Sequence, residues 1–200
     1  MNINDSNFID EARNEAAEWA RSLLKRAPST WLILDTETTG LGSRDEIIQI
    51  GAIDGAGNIL LDNILIKPTT QITQPAYEIH HISSEMVAGA PSFVEVWPRV
   101  FHAIDGKLLV IYNADYDLRM LSQSGRAHDF PISFTFESYS CAMKRYAEWY
   151  GDWNDYRGSF RWQRLPSGDH SSLGDCRSVL KLIQTMAHAR PSTGSGRNHE

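Results

Sequence analysis

The sequence has few cysteines, and the two that it has, Cys141 and Cys176, do not form a C-x-x-C pair. This spacing excludes a redox motif of that type and a cysteine-rich zinc site, and it predicts reduced thiols. No run approaches the roughly 18 consecutive apolar residues of a membrane span, and the polar N-terminus lacks a secretory signal pattern. We therefore expect a soluble, cytoplasmic protein with no membrane partner.

The sequence also lacks a surplus of positive charge. Its net charge is −6 and its isoelectric point is about 5.6, which argues against a general polyanion-binding protein but not against a local metal site that recruits phosphate through its ions. The length of 200 residues, 42% of them hydrophobic, fits one domain with its own core. We predict an amphipathic helix within residues 1–29, a main domain over residues 30–189, and a disordered tail over residues 190–200.

The first half of the main domain shows strand patterns followed by a helix. Strand-like runs cover Trp31–Thr36, Glu46–Asp54 and Asn58–Lys67, and their short connections predict an antiparallel meander. Ser92 and Glu95 then form a capping box that begins an amphipathic helix. These residues are expected to have structural roles.

The second half alternates between strand and helix patterns. Leu108–Tyr112 reads as a buried strand that leads into a short helix, and a further short strand is predicted near Ile132–Phe136. Helical periodicity returns over Ser138–Trp149 and Ser171–Met186. Together with the meander, this order predicts a mixed α/β fold.

Four acidic residues stand at the ends of these elements. Asp35 and Glu37 end the first strand and point to one side of it, Asp117 falls in the first turn of a helix, and Asp175 lies near the beginning of the last helix. A solvated strand end and a favourable helix dipole are simpler explanations for individual acids. Carboxylates gathered without lysine instead favour Mg²⁺ or Mn²⁺, and a pair of such ions supports in-line displacement at phosphorus.

Three motifs in this order make the chain resemble the DEDDh exonucleases, the proofreading-type 3′-to-5′ enzymes that include the DNA polymerase III epsilon subunit. Asp35–Gly40 matches D-x-E-T-T-G, Tyr112–Asp117 corresponds to H-N-x-x-F-D, and His170–Asp175 corresponds to H-x-A-x-x-D. The resemblance covers roughly residues 31–188. Tyr112 replaces a common histidine and Ser172 replaces a common alanine, and neither change removes a ligand or the base.

The resemblance implies an RNase H-like fold, in which a mixed five-stranded sheet of antiparallel meander plus parallel strands is flanked by helices. It implies that Asp35, Glu37, Asp117 and Asp175 hold two divalent cations, Mg²⁺ or Mn²⁺, and that His170 is the general base. The implied reaction is hydrolysis of the phosphodiester at the 3′ end of DNA or RNA, single strands favoured, releasing nucleoside 5′-monophosphates.

The resemblance also implies substrate contacts and partners. The residues that would contact the 3′-terminal nucleotides are Thr38, Thr39, Gly40, Leu41, His81 and Asn113. Relatives are often dimers, and proofreading relatives act with a polymerase, so a homodimer and a polymerase partner are both expected possibilities for this chain.

Two other functions and one segment stay open at this stage. A nucleic-acid-binding module of the same fold would keep the motifs without turnover, and an aspartyl-phosphate phosphatase would carry D-x-D-x-T, although position 37 is glutamate here. Residues 144–164 interleave aromatic residues with arginines, a composition typical of single-strand binding. The same stretch contains three acids, so a purely structural aromatic cluster is an equal alternative.

Overall fold

The computed structural model describes residues 6–132 and 139–189. The helices are α1 (Ser6–Leu24), α2 (Gln74–His80), α3 (Ser84–Val87), α4 (Phe93–Ile104), α5 (Ala114–Ala127), α6 (Ala142–Tyr150) and α7 (Ser172–His188). The strands are β1 (Trp31–Thr38), β2 (Ile47–Asp54), β3 (Ile59–Leu65), β4 (Leu108–Ile111), β5 (Tyr139–Cys141), β6 (Trp153–Asn154) and β7 (Ser159–Phe160). The predicted tail over residues 190–200 lies outside the described residues.

Five strands form one mixed sheet in the order β3-β2-β1-β4-β5. β1 and β3 both pair with β2 in antiparallel orientation, whereas β1, β4 and β5 run parallel to one another. The predicted meander and the predicted five-stranded mixed sheet are therefore confirmed. Since β1 and β4 are parallel neighbours, residues that follow them along the chain meet at one edge of the sheet.

The central strand β1 is buried on both faces, which explains its nearly continuous apolar sequence. Leu32 and Leu34 belong to the core that contains α4, whereas Trp31 and Ile33 belong to the core that contains α7. Helices thus cover both faces of the sheet, and the polar end of β1 emerges between these two layers.

Helix α1 has the predicted amphipathic character. Its buried residues Ala16, Ala20 and Leu23 are small or branched side chains, and α1 packs against α6 and α7. Arg13 of α1 donates hydrogen bonds to the carbonyl oxygens of Trp149 (3.0 Å) and Tyr150 (3.3 Å). Because those carbonyls end α6, Arg13 caps that helix and joins it to α1.

Two boundaries differ from the sequence prediction. Residues Tyr139–Cys141, expected to be helical, form β5 beside β4, and α6 begins only at Ala142. Three residues are too short for a readable period, and their strand conformation depends on pairing with β4. Ile132 is not in a strand, and the rest of the strand predicted near Ile132–Phe136 lies outside the described residues.

Helix α5 is longer than the sequence predicts, and the hairpin β6–β7 was not predicted. α5 extends to Ala127, far beyond the short helix expected after Asn113.

Within the described part of the chain, no helix combines the length and the apolar composition that crossing a bilayer requires.

Candidate active site

Three of the four predicted acids meet at the end of β1. Asp35, Glu37 and Asp175 each offer a carboxylate oxygen, and these oxygens all lie within 4.8 Å of one another. Asp35 and Glu37 share one side of β1 because side chains alternate along a strand. Asp175 joins them from the first turn of α7. The arrangement is the one expected for oxygen ligands of a divalent cation.

A glycine in β2 allows α7 to come this close. Gly51 pairs with Asp35 across the sheet, and a Cβ atom at Gly51 would lie 2.8 Å from the backbone nitrogen of Leu173. Ser172, which replaces a common alanine, is fully buried and donates its hydroxyl and its backbone N–H to Gln49 Oε1 at 2.9 and 3.0 Å. Ser172 therefore docks the first turn of α7 onto β2 without disturbing Asp175.

The fourth acid, Asp117, stands outside the group of three. It is only 4% exposed, and its carboxylate accepts a hydrogen bond from the Thr36 hydroxyl at 2.7 Å. Its charge nevertheless acts on Asp35 and Glu37, since it helps to raise the pKa of both carboxyls. Asp117 therefore lies beside the group and is fixed in place by Thr36.

Burial and mutual repulsion shift the acids in one direction. Burial, followed by the charges of Asp117, Glu37 and Asp175, raises the pKa of Asp35 well above its usual value. Burial and neighbouring acids raise the pKa of Glu37 to about 8, and burial raises that of Asp117 to about 7 despite the bond from Thr36. A bound cation would stabilise the ionised form of these carboxyls.

The predicted base His170 lies on the loop immediately before α7. Its backbone φ is +58°, a left-handed conformation, and its side chain is exposed. The backbone N–H groups of Asp169 and His170 donate to the Asp175 carboxylate at 2.9 and 3.3 Å. Because Asp175 accepts both bonds, Asp175 belongs to the acidic group and also holds the loop that carries His170.

Tyr112, the other departure from the family pattern, secures the segment that leads to this loop. Its hydroxyl donates to the carbonyl oxygen of Gln163 at 2.7 Å. Burial, the largest cause, raises the pKa of Tyr112 above its usual value, so the hydroxyl keeps its proton as a donor. Tyr112 thus ties residues 161–169 to the end of β4.

An open cavity of about 620 Å³ adjoins the acids. Three predicted substrate contacts, Thr38, Gly40 and Leu41, line it, and Leu41 is 78% exposed. The other lining residues are Thr36, Glu37, Gly42, Asp45, Thr73, Pro75, Ala76, Ile79, His80 and Tyr116. A largely apolar cleft beside charged groups is typical of a site for a base or nucleoside.

The other three predicted contacts are not brought to this cavity. Thr39 is fully buried and donates its hydroxyl to Asp45 at 2.8 Å, while His81 and Asn113 do not line the cavity. His81 instead ends α2 with φ of +58°, and Asn113 precedes the first turn of α5. The His81 ring lies edge-on to the Tyr77 ring, with the centroids 6.2 Å apart.

His80, rather than His81, reaches the cavity. Its Nδ1 accepts the Ile82 N–H at 3.0 Å, so Nε2 carries the proton and donates to the Thr38 carbonyl oxygen at 3.1 Å. Burial lowers the pKa of this histidine, which favours the neutral ring that both bonds require. His80 therefore ties the loop after α2 to the end of β1.

Tyr116 is a site residue that the sequence analysis missed. Its hydroxyl lies 2.6 Å from Thr38 Oγ1 and donates to the Gly40 carbonyl oxygen at 3.0 Å. Its position next to Asp117 was the available signal. For Pro75, Ala76 and Ile79 no local signal existed, because α2 meets β1 only through the tertiary fold.

Comparison with known proteins agrees with this geometry. The sequence profile of the Exonuclease family (RNase_T) matches residues 32–183. An exonuclease of Escherichia phage 186, itself named as uncharacterized, is 38% identical over 171 residues, which are 78% of this chain and 87% of the phage protein. The DNA polymerase III subunit epsilon of Treponema pallidum is 30% identical, covering 82% of this chain and 80% of the subunit.

A solved structure extends the comparison to the fold. Exonuclease X, in complex with 5′ overhanging duplex DNA, superposes with a TM-score of 0.53 at 26% identity, covering 80% of this chain and 95% of that one. By contrast, the chain spans only 7% of the length of the PolC-type DNA polymerases III of Thermotoga that it also matches.

These matches and the acidic group define a hydrolytic nuclease with an RNase H-like fold. The chain belongs to the Exonuclease family, as its DEDDh motifs predict. The family is metal-dependent, and the residues present fit such an ion: hard carboxylate oxygens converge, and burial together with mutual repulsion raises the pKa of Asp35 and Glu37, a cost that a bound cation would offset.

Proposed function

We propose that this protein is a 3′-to-5′ exodeoxyribonuclease that releases nucleoside 5′-monophosphates from single-stranded DNA ends. The observation that carries the proposal is the convergence of Asp35, Glu37 and Asp175 within 4.8 Å, with Asp117 beside them and His170 on the loop held by Asp175. The order of the three motifs supports the 3′-to-5′ direction.

Two divalent ions of the Mg²⁺ class fit the acidic group. Asp35, Glu37 and Asp175 would hold them, and Asp117 would complete the ligand set from the position that Thr36 fixes. Bound ions would neutralise the phosphate and lower the pKa of an attacking water. The chain's own contribution is to hold four oxygens in place before substrate arrives, which is worth more in a partly buried site than in water.

His170 would take the proton of the attacking water at one of its ring nitrogens. A histidine suits this role because its unperturbed pKa of about 6.5 lies near working pH. Its side chain is exposed on the loop before α7, so the ring is accessible to substrate and water. The backbone bonds from Asp169 and His170 to Asp175 set the distance between base and ligand group.

The cavity beside Glu37 would hold the 3′-terminal nucleoside. Leu41 and Ile79 offer exposed apolar surface to a base. Tyr116 contacts the side chain of Thr38 and His80 its carbonyl oxygen, so both fix the end of β1. DNA is preferred over RNA in this proposal because the relative from Treponema is named as a DNA polymerase subunit and the Exonuclease X structure contains DNA.

The test is hydrolysis of 5′-labelled oligonucleotides in Mg²⁺ or Mn²⁺, with single-stranded DNA, duplex DNA and single-stranded RNA in parallel. We expect a ladder of 3′-shortened products from single-stranded DNA, abolished by chelator and by Asp35→Asn. Asp62→Asn, which changes an exposed acid of β3, is the matched control and should retain activity. Immediate release of the labelled nucleotide would contradict the direction, and preferred cleavage of RNA would contradict the substrate.

A further inference from the structure

The stretch of aromatic residues and arginines folds into a hairpin whose aromatic rings divide into two sets. Residues 151–164, here called the arginine–aromatic hairpin, contain β6 and β7, which pair Trp153 with Phe160. Trp153 and Phe160 also contact Phe8 of α1, with ring centroids 5.2 and 5.8 Å away. These rings anchor the hairpin on α1, so their role is structural.

The second set of rings faces water. Tyr156 is 98% exposed in the turn between β6 and β7, and Trp162 is 68% exposed just after β7. Neither ring contacts another aromatic ring among the residues that the structure describes. Large aromatic side chains exposed in this way fulfil no packing role, and exposed aromatic patches mark interaction surfaces.

The charge of the hairpin is opposite to that of the whole chain. Three arginines, Arg157, Arg161 and Arg164, outnumber two aspartates within it, although the chain carries a net charge of −6. Arg161 lies 3.7 Å from Asp152, whereas Arg157 and Arg164 form no ion pair within residues 6–132 and 139–189. Asp155, the other aspartate of the hairpin, immediately precedes Tyr156 in the sequence. Two unpaired guanidinium groups are therefore available to phosphates.

The hairpin is continuous with the active site. The backbone runs from Trp162 through Gln163, which Tyr112 holds at the end of β4, to His170 before α7. Ser178 of α7 donates its hydroxyl to the Ser167 carbonyl oxygen at 2.9 Å, so the middle of this segment is secured as well. Eight residues span at most about 29 Å. A strand that ends at the acids can reach Trp162 within the roughly 4 to 16 nucleotides that single-strand sites cover.

We propose that the arginine–aromatic hairpin binds single-stranded DNA upstream of the 3′ end that the active site holds. Tyr156 and Trp162 stack on bases, and Arg157 and Arg164 contact phosphates. Rings and guanidinium groups together are the combination by which proteins hold single strands without reading sequence. The inference rests on the proposed function, because the hairpin matters to catalysis only if the substrate is a strand with a 3′ end.

Equilibrium binding in chelator tests the surface without requiring catalysis. Fluorescence anisotropy of labelled dT16 should show that Tyr156→Ala combined with Trp162→Ala raises Kd at least about tenfold, since each stacked base contributes a factor of about 5 to 150. Tyr156→Phe and Trp162→Phe should restore most of the affinity. Phe101→Ala on α4 is the matched control, because Phe101 is also exposed (42%) but lies on the other side of the sheet, and it should change Kd less than twofold.

Salt dependence separates the two kinds of contact. Arg157→Ala and Arg164→Ala should each reduce the slope of log Kd against log salt concentration by about 0.7, the value for one phosphate of a single strand. The aromatic double variant should keep the parent slope, and so should Arg99→Ala, an exposed arginine on α4.

Cleavage by the same variants links the surface to catalysis. In Mg²⁺ the ratio of kcat/KM for dT16 to that for dT3 should fall at least about tenfold in the aromatic double variant. A folded double variant that binds dT16 within twofold of the parent would overturn the proposal. Equal weakening for duplex and single strands would overturn the assignment to single strands, and tighter binding of rU16 through the same side chains would overturn the assignment to DNA. Absence of any cleavage would instead contradict the proposed function, because binding is measured separately.

Discussion

The acidic end of β1 and the arginine–aromatic hairpin are built in opposite ways. At the end of β1, carboxyl groups are buried together, and burial, followed for Asp35 and Glu37 by the charges of neighbouring acids, raises their pKa values. In the hairpin, apolar rings pack on α1 and make the structure stable, while other rings stay in water. The acidic region is recognised by its unfavourable electrostatics. The hairpin is recognised by aromatic rings that remain exposed instead of packing in the core.

The difference shows what each region requires from its surroundings. The acids need a rigid frame, provided by β1, by Thr36 under Asp117, and by the close approach of α7 at Gly51. The hairpin is attached to the domain through ring contacts with Phe8 and through the hydrogen bond from Tyr112. A catalytic centre tolerates little displacement, whereas a surface for single strands tolerates more.

The largest effect on activity is expected from a substitution at Asp35, in the acidic region. We expect Asp35→Asn to lower kcat by more than about 10⁴-fold, because it removes a ligand on which both positioning and charge neutralisation depend. In metal-free buffer at neutral pH the same change should raise the melting temperature, because the Asp35 carboxyl ionises readily only in the unfolded chain and so favours unfolding, whereas asparagine does not ionise. Oligonucleotide cleavage and thermal melts in chelator measure the two effects, and a destabilised metal-free variant would contradict the account.

The next largest effect is expected at His170. His170→Gln should lower kcat by about 10² to 10⁴-fold, the usual contribution of a general base, while metal affinity stays within a factor of about three. The pH profile of kcat should lose its acidic limb. Gln is the appropriate replacement because it keeps a polar group in the same exposed loop. Unchanged kcat at neutral pH would exclude His170 as the base.

The acids also predict how stability depends on pH when metal is removed. In the unfolded chain these carboxyls lose their protons near pH 4, whereas in the folded chain Glu37 does so at about 8 and Asp117 at about 7. Between those limits the folded state binds more protons, so the free energy of unfolding falls as pH rises from about 4 to about 8. Denaturant unfolding in chelator should show that Glu37→Gln loses about 1–3 kcal/mol less than the parent between pH 5 and pH 8.5. Parallel curves would contradict the raised pKa values.

The smallest expected effects distinguish the packed rings of the hairpin from its exposed rings. Phe160→Ala should lower the free energy of unfolding by about 1–2 kcal/mol, because its ring packs on Phe8 and Trp153. Tyr156→Ala should change it by less than about 0.5 kcal/mol, because that residue is 98% exposed. Urea unfolding of the pair measures both values. Equal losses would mean that Tyr156 has a packing role.

Long elements and the acids within them could be predicted from the sequence, whereas short elements could not. The strand patterns and the meander were readable because β1 and β2 are long and bounded by turn residues. The four acids were readable because two lie in the second half of a strand and two in the first turn of a helix. Strand β5 was not readable, since three residues show no period and depend on β4 for pairing.

The cavity was only partly predictable. Thr38, Gly40 and Leu41 adjoin the acids along the chain, so proximity in sequence implied proximity in space. His80 and Tyr116 are distant in sequence from β1, and their contacts with Thr38 arise from the way α2 and α5 pack around the strand end. Thr39 follows β1 and is fully buried, because its hydroxyl donates to Asp45 instead of facing the cavity.

Calorimetric titration of Mn²⁺ into the metal-free protein at pH 7.5 tests the central claim most directly. The account predicts saturable binding of two ions for each chain, accompanied by proton release, because Glu37 and neighbouring carboxyls with raised pKa values must ionise to become ligands. Repeating the titration in buffers of different ionisation enthalpy counts those protons, and Asp35→Asn should abolish at least one binding event. A folded parent protein that takes up no Mn²⁺, or an Asp35→Asn variant that binds it equally well, would contradict the account.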